Sequence, residues 1–236
     1  MEKLQLSEIA AAVGSKTPLE AAVNDICTDT RKLEPGCLFL ALRGANFDGH
    51  QAAAEAAEKK AAAIIVSQDV ELPKQSETTL IRVEDTRYAL AFVSAAWFDH
   101  PAKKLTTIGI TGTKGKTTTT YLVKSILENA GRKVGLVGTI EIIIGDTHIH
   151  AVNTTPESYL LQEYFAKMVE SGCDTVVMEV SSQALMLHRT QGFVFDFGIF
   201  TNLEPDHIGP NEHGSFEEYA HCKSPVSYTH LTLPTT

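Results

Sequence analysis

The segment GITGTKGKTTT, residues 109–119, decides the fold that we predict for this chain. The apolar run Leu105–Thr111 predicts a buried strand, and the spacing of Lys116–Ala130 predicts an amphipathic helix. Glycines at positions 112 and 115 allow the backbone between them to curl, so that its N–H groups point at phosphate oxygens. The positive end of the helix dipole adds to that attraction. A strand, this loop and a helix in succession therefore predict a phosphate-binding loop.

The loop predicts an ATP site with Mg²⁺ as the accompanying ion. Lys116 supplies a positive charge for the β- and γ-phosphates and is a candidate catalytic residue, while the Thr117 hydroxyl can ligate Mg²⁺. The common pattern has a further glycine at position 110, where this chain has Ile110, so the loop is a variant. The alternative is a strand–helix turn with a surface lysine. The predicted ATP-binding residues are Gly112, Thr113, Lys114, Gly115, Lys116, Thr117 and Thr118.

Strands and helices alternate downstream of the loop. Apolar runs predict strands at Lys133–Gly138, Asp174–Val180 and Phe195–Phe200, and Pro156–Glu170 reads as a helix. Alternation of this kind, with continuous apolar runs, is typical of a parallel sheet covered on both faces. We therefore predict an α/β fold with a mainly parallel sheet.

A separate block precedes the loop and extends to about His100. The predicted strands are Cys37–Leu42, Ala62–Val66 and Thr79–Val83, and the predicted helices are Gln51–Lys60 and Thr86–Asp99. Pro101–Lys104 reads as a linker, because the residue before a proline disfavours the helical region. We therefore expect one domain over residues 1–100 and a second over 105–223. Residues 224–236 carry no charge and no period, which fits either a mis-joined reading frame or a native tail.

Composition excludes several classes of protein. The net charge is −9, which is the wrong sign for a basic nucleic-acid-binding face. No apolar run approaches the roughly 20 residues that cross a bilayer, so we expect no membrane insertion. The 4 cysteines form no Cys-x-x-Cys pair, and we expect reduced thiols in a cytoplasmic protein.

Several segments together resemble one family. The loop is similar to the variant found in Mur ligases and folylpolyglutamate synthases. The segments NTTPE (153–157), MEVSSQAL (178–185), and TNL (201–203) with Asp206-His207 resemble the central domain of Mur ligases that add the third residue of the peptidoglycan peptide. The segments TDTR (28–31), PG (35–36) and DGHQ (48–51) resemble their UDP-binding domain. The resemblance implies a small N-terminal UDP-sugar-binding α/β domain followed by a truncated P-loop ATPase domain.

That family implies an ATP-dependent ligase. ATP would turn a carboxylate of a UDP-N-acetylmuramoyl dipeptide into an acyl phosphate, which the amine of an amino acid then attacks. The amino acid is diaminopimelate, with lysine as the alternative. Because the family is roughly twice as long, this chain is expected to be inactive by itself. Two other hypotheses stay open, namely another Mur or folylpolyglutamate-type ligase and a nucleotide- or UDP-sugar-binding module without catalysis.

The resemblance also implies a set of metal ligands. Glu179 ends an apolar strand, and ligands of α/β sheets bind at that edge. It would hold Mg²⁺ together with Thr117. His207 would help to hold a second Mg²⁺, although this ion prefers oxygen ligands. Lys223 matches the family lysine that is carbamylated, which would make it a further metal ligand and a catalytic residue. Helix capping or an ion pair for Glu179 and an ordinary loop position for His207 are the alternatives.

Two groups of residues are implied as substrate contacts. The first follows the strands of the second domain, where Arg189 can pair with a substrate carboxylate. The second is a set of threonines and a helix start in the first domain, where backbone N–H groups suit a diphosphate; Asp48-Gly49 as an ordinary turn is the alternative. The predicted contacts are Asn153, Thr154, Thr155, Ser181 and Arg189, then Thr28, Thr30, His50, Gln51 and Ala52.

Overall fold

The computed structural model describes residues 13, 22–44, 47–206, 208–209, 214–223 and 226. The chain divides into two compact units, Met1–Trp97 and Phe98–Thr236, which we call the N-terminal and C-terminal units. The predicted metal ligand His207 lies outside the described residues, as does the tail 224–236 apart from Val226.

Within the described residues, the N-terminal unit contains a four-stranded parallel sheet of order β1-β2-β3-β4. Its strands are β1 (Ile26–Cys27), β2 (Leu38–Leu40), β3 (Ala63–Val66) and β4 (Thr79–Arg82), and its helices are α1 (Ala53–Glu58) and α2 (Thr86–Trp97). The three predicted strands and both predicted helices are confirmed, while β1 was not predicted. The helix predicted from Gln51 begins instead as a 3₁₀ turn, Gly49–Ala52.

Alanines pack this unit closely. Ala53 and Ala56 of α1 are buried in one cluster with Phe39 and Ile64 of the sheet. Because alanine side chains are small, the backbone of α1 can pack close to the strands. The short helix α1 is therefore held by packing, since six residues are too few for an independent helix.

The C-terminal unit is built on a six-stranded sheet, counted over the described residues, of order β10-β5-β9-β6-β7-β8. The strands are β5 (Thr106–Thr111), β6 (Val134–Val137), β7 (Glu141–Ile144), β8 (Thr147–His150), β9 (Thr175–Glu179) and β10 (Phe197–Phe200). The helices are α3 (Lys116–Asn129), α4 (Ser158–Glu170), α5 (Ser182–Met186) and α6 (Phe216–Lys223). The mainly parallel sheet is confirmed, because the pairs β10–β5, β5–β9 and β9–β6 are parallel.

Two features of this unit differ from the prediction. The strands β7 and β8 form an antiparallel hairpin that was not predicted. The expected linker Pro101–Lys104 is a 3₁₀ helix whose Ala102 is buried in the main core cluster. Packing against α4 orders this segment, so it is part of the unit and not a free connection.

The central strands determine where polar side chains collect. All five residues of β9 are buried, and β9 pairs with β5 in parallel register, Ile110 opposite Glu179. The carboxyl ends of parallel strands meet at one sheet edge, where α/β proteins bind ligands. That edge carries the loop after β5 and the side chain of Glu179.

Candidate functional site

The loop between β5 and α3 has backbone conformations that require glycine. Gly112 has φ +142° and Gly115 has φ +81°. A Cβ atom on Gly112 would lie 2.0 Å from the Thr201 hydroxyl oxygen, whereas one on Gly115 would meet nothing within 4 Å. Gly112 therefore serves both a left-handed conformation and a close approach, and Gly115 serves the conformation alone.

The segment after β10 braces this loop. The amide of Thr113 donates to the carbonyl of Asn202 at 3.0 Å, and the amide of Lys114 donates to the Asn202 side-chain oxygen at 2.9 Å. The amide of Glu204 donates to the Thr113 hydroxyl at 3.0 Å. The exposed Lys114 ammonium pairs with Glu204 at 2.5 Å. The Thr201 hydroxyl donates to the Lys114 carbonyl at 2.8 Å, so Thr201 and Asn202 of the TNL segment, noted only as a family signature, brace the loop together with Glu204.

Two lysines converge on one carbonyl. The Lys116 ammonium donates to the carbonyls of Gly112 at 2.9 Å and Thr113 at 3.0 Å. The Lys223 ammonium donates to the same Gly112 carbonyl at 3.1 Å, 4.7 Å from the Tyr219 ring centroid. Burial lowers the pKa of Lys116, and burial together with the charge of Lys116 lowers the pKa of Lys223 to about 8. Positive charge is therefore concentrated beneath the loop.

Glu179 lies beside the lysines and is 1% exposed. Its carboxylate accepts from the Thr117 hydroxyl at 3.0 Å, from the Thr139 amide at 2.9 Å and from the Thr139 hydroxyl at 3.1 Å. A Cβ atom on Gly138 would lie 2.7 Å from the carboxylate, so a glycine there leaves room for Glu179. The carboxylate and the Thr117 hydroxyl are thus held side by side.

These groups line one cavity of about 430 Å³ in the C-terminal unit. It brings together residues predicted for nucleotide, metal and substrate, and it adds Thr139, Ser182, Gln183 and Met186, which were not predicted as site residues. Thr139 follows an apolar strand end, and that position was its only signal in the sequence. The predicted residues lining the cavity are Thr113, Gly115, Lys116, Thr117, Asn153, Thr154, Thr155, Glu179, Ser181, Arg189 and Lys223. Gly112 and Lys114 of the loop and Thr118 of α3 were also predicted, and they are not part of this lining.

Internal hydrogen bonds order the wall of the cavity opposite the loop. The Thr155 hydroxyl donates to the carbonyl of Glu179 at 2.9 Å and accepts from the Ser181 amide at 3.1 Å. The Arg189 guanidinium pairs with Glu157 at 2.7 Å and donates to the Thr155 carbonyl at 3.0 Å. Two of its nitrogens therefore have partners within the chain, and Nε has none among the described residues.

The predicted contacts of the N-terminal unit have partners of their own. The His50 ring is buried, with Nδ1 2.5 Å from the Asp48 carboxylate and Nε2 accepting from the Ser67 amide at 3.0 Å. The amides of His50 and Gln51 donate to Asp48 at 3.1 and 3.0 Å. Burial opposes ionisation of Asp48, but hydrogen bonds from His50 and Arg43 outweigh it and lower its pKa to about 2. Asp48 thus caps this helix start from within.

Two of the other N-terminal predictions, Thr28 and Thr30, lie nearer to solvent. Thr28 is exposed, and the Thr30 hydroxyl donates to Glu55 at 3.1 Å. The 3₁₀ turn that begins at Thr30 is capped by Asp29, whose side chain also pairs with Arg31 at 2.7 Å. Ala52 is buried in the alanine-rich cluster. Whether these residues bind a ligand stays a prediction.

Oxygen ligands are present for a divalent cation. Thr117 and Glu179 present a hydroxyl and a carboxylate 3.0 Å apart, and Mg²⁺ takes such ligands together with water and phosphate oxygens. Among the described residues, no cluster of three or more His, Cys, Asp and Glu side chains is placed to bind a metal. The pair therefore fits Mg²⁺ bound jointly with a phosphate.

Two protein-family models match this chain. The model of the Mur ligase middle domain matches residues 110–228, and that of the Mur ligase family, catalytic domain, matches residues 22–98. The chain belongs to the Mur ligase family. In the part of this Mur ligase chain that the structure describes, no helix is long and apolar enough to cross a membrane.

Relatives of this Mur ligase chain are longer. It is 48% identical over 204 residues to UDP-N-acetylmuramoyl-L-alanyl-D-glutamate–2,6-diaminopimelate ligase of Clostridium perfringens, covering 86% of this chain and 41% of that protein. A solved structure of a ligase with the same name has a TM-score of 0.78 at 23% identity, covering 95% of this chain and 45% of the other. MurF ligase from Thermotoga maritima in complex with ADP has a TM-score of 0.51 at 22% identity over 86% and 42%. This chain thus spans about two fifths of such proteins.

Proposed function

We propose that the chain is the first part of a ligase that uses ATP to join diaminopimelate to UDP-N-acetylmuramoyl-L-alanyl-D-glutamate in peptidoglycan synthesis. One observation carries the proposal, namely the cavity in which Lys116, Lys223 and the Thr117–Glu179 pair lie together. The name of the Clostridium perfringens relative favours diaminopimelate over lysine. The reaction would take place in the cytoplasm.

The cavity suits the meeting of two anions. In the proposed reaction a carboxylate oxygen of the dipeptide attacks the γ-phosphorus of ATP, and ADP leaves. The amine then attacks the acyl phosphate, phosphate leaves, and the amine loses a proton. Lys116 and the amides that begin α3 would hold the phosphates and offset their charge. Thr117 and Glu179 would hold Mg²⁺, which neutralises the transferred phosphoryl group when it is bound.

Lys223 has surroundings that suit its proposed carbamylation. Only a neutral amine adds carbon dioxide. Because burial lowers the pKa of Lys223 to about 8, its neutral fraction near neutral pH exceeds that of an exposed lysine. The modification would place an anion beside Lys116 and thereby add a ligand for a cation. We propose His207 as a ligand of a second Mg²⁺.

The substrate would occupy the other wall of the cavity. Asn153, Thr154, Thr155 and Ser181 offer short polar groups there, and Arg189 would meet a substrate carboxylate. We assign residues 1–100 to a UDP-sugar-binding domain with Thr28, Thr30, His50, Gln51 and Ala52 as contacts. Residues 105–223 would form the first part of the ATP-binding domain, followed by a non-native tail at 224–236.

A binding module without catalysis is the second candidate. Such a module would use the groups of the cavity proposed for nucleotide, Lys116, Thr117 and Glu179, without the later chemistry. We expect this chain to bind nucleotide and to show no turnover. Ligation by this chain alone would contradict the expected inactivity.

Two measurements test the proposal. Calorimetric titration of this chain with ADP and Mg²⁺ should show binding that Lys116→Met weakens. Phosphate release by a full-length version, supplied with ATP, the UDP-muramoyl dipeptide and either diaminopimelate or lysine, should require the dipeptide and one of the amino acids. Release that is independent of the dipeptide would reject the ligase.

A further inference from the structure

Thr139 connects the Glu179 carboxylate to the loop that carries Asn153 to Thr155. It lies between β6 and β7, and its amide donates to one Glu179 oxygen at 2.9 Å. Its hydroxyl oxygen is 3.1 Å from the other Glu179 oxygen and 3.0 Å from the Thr154 hydroxyl oxygen. Thr139 therefore contacts both the proposed cation ligand Glu179 and the proposed substrate contact Thr154.

Glu179 depends on uncharged donors for its orientation. It is buried, and the hydrogen bonds its carboxylate accepts among the described residues come from two hydroxyls and one backbone amide. The contacts that orient it are those of Thr117 and Thr139, with Gly138 leaving the space it occupies. Groups that fix a metal-holding carboxylate in this way tune its affinity for the metal.

The Thr139 hydroxyl has one proton and two acceptors within reach. While it donates to Glu179 it can only accept from the Thr154 hydroxyl, and once released from Glu179 it can donate to Thr154 instead. A cation on the Glu179 oxygen reduces the ability of that oxygen to accept. Occupancy of the carboxylate therefore directs the proton toward Thr154 and tightens the 153–155 loop.

We propose that Thr139 is a positioning residue that orients Glu179 for a divalent cation and transmits its occupancy to the 153–155 loop. The inference rests on the proposed function, because it assumes that Thr117 and Glu179 hold a cation together with the phosphates. It extends that function by linking Thr117 and Glu179, which are proposed to hold the cation, to the 153–155 loop, which is proposed to contact the substrate.

The first experiment measures how ADP binding by this chain depends on Mg²⁺. Thr139→Val removes the hydroxyl and keeps the amide, and Thr139 is exposed, so the core is preserved. We expect its Mg²⁺ requirement for half-maximal ADP binding to rise roughly tenfold. Thr139→Ser should stay within about twofold of the parent. Thr147→Val, at an exposed threonine of the hairpin, is the matched control and should match the parent.

The second experiment measures amide hydrogen exchange in a peptide covering residues 151–157. Addition of Mg²⁺ and ADP should slow exchange in the parent and in Thr139→Ser, but not in Thr139→Val. Thr154→Val should lose this protection while keeping the parent's Mg²⁺ requirement. Gly138→Ala, whose Cβ would press on the carboxylate, should raise the requirement with the Thr139 hydroxyl still present.

The outcomes separate this inference from the proposed function. If the parent binds ADP and Thr139→Val keeps both the Mg²⁺ requirement and the protection, the inference is overturned and the function stands. Absence of protection in the parent overturns the transmission to the loop. If the parent does not bind ADP with Mg²⁺, the proposed function falls and this inference falls with it.

Discussion

Two helix starts in this chain differ in the hydrogen-bond partners of their backbone N–H groups. At Lys116 the helix begins after a glycine that offers no side-chain cap, and the groups around it line a cavity. The second start is the 3₁₀ turn Gly49–Ala52, which follows Asp48. The Asp48 carboxylate accepts from the His50 amide and contacts the His50 ring. The first start leaves its amides available to a ligand, whereas the second has used them internally. A helix start therefore indicates an anion site only where the chain itself does not supply the anion.

Replacement of Gly112, in the loop before α3, should have the largest effect on the stability of the chain. In Gly112→Ala the new Cβ meets Thr201 and the positive φ is strained, so we expect a loss of roughly 3 kcal/mol or more in unfolding free energy. Gly131→Ala has a φ of +86° with open space around it and should cost about 1 to 2 kcal/mol. Denaturant titration followed by circular dichroism measures both. Equal losses would show that the brace by Thr201 does not constrain the loop.

Removal of the Lys116 charge should weaken ligand binding and change the fold little. Lys116→Met is expected to lower the affinity for ADP by about 10- to 100-fold, because charged hydrogen bonds to phosphate are lost. The exposed Lys103→Met serves as the control and should bind as the parent does. Calorimetric titration measures both. An unchanged affinity in Lys116→Met would place the nucleotide elsewhere.

Low pH should reduce the stability that the Asp48 carboxylate gives to the turn Gly49–Ala52. Folding lowers the pKa of Asp48 to about 2, so its stabilisation is complete above the unfolded value of about 4 and is lost as pH falls through 2. We expect Asp48→Asn to lose up to about 2 kcal/mol at pH 6 and to approach the parent near pH 2.

Unfolding titrations at a series of pH values measure this difference. Asp69→Asn, whose side chain is 91% exposed, is the control and should follow the parent. A constant difference between Asp48→Asn and the parent from pH 6 to pH 2 would show that the carboxylate charge is not what holds the turn.

The smallest change is expected at Lys114. Its side chain points away to an exposed pair with Glu204, and its backbone makes the contact to Asn202. Lys114→Ala should therefore change the affinity for ADP by no more than about twofold. A loss as large as that of Lys116→Met, in the same titration, would mean that both lysines reach the phosphates.

Local pattern was sufficient to predict much of the C-terminal unit. The strands β5, β6, β9 and β10 and the helices α3 and α4 begin and end within two residues of their predicted bounds. Apolar runs and helical spacing are local signals, and packing reinforced them here. The hairpin β7–β8 was missed, although Gly145 and Asp146 separate two runs rich in β-branched residues.

The partners within the candidate site were less accessible to prediction. The motif indicates Lys116 and Thr117 directly, because their spacing from the glycines is fixed. The brace from Asn202 and the contact of Thr139 with Glu179 join residues far apart in sequence, 88 residues for Lys114 with Asn202 and 40 for the second pair. Contacts of this kind depend on strand order, which a single sequence does not specify.

The carbonyl shared by Lys116 and Lys223 has a consequence for anion capture. Lys114 and Arg189 already have carboxylate counter-ions, whereas neither Lys116 nor Lys223 forms a salt bridge within the described part of the chain. While Lys223 is unmodified and protonated, its charge and that of Lys116 repel each other, in a chain whose net charge is −9. A polyanion that arrives there relieves the repulsion without displacing a carboxylate. Its association should accordingly slow as ionic strength rises, because salt screens the positive potential of the two lysines at the cavity.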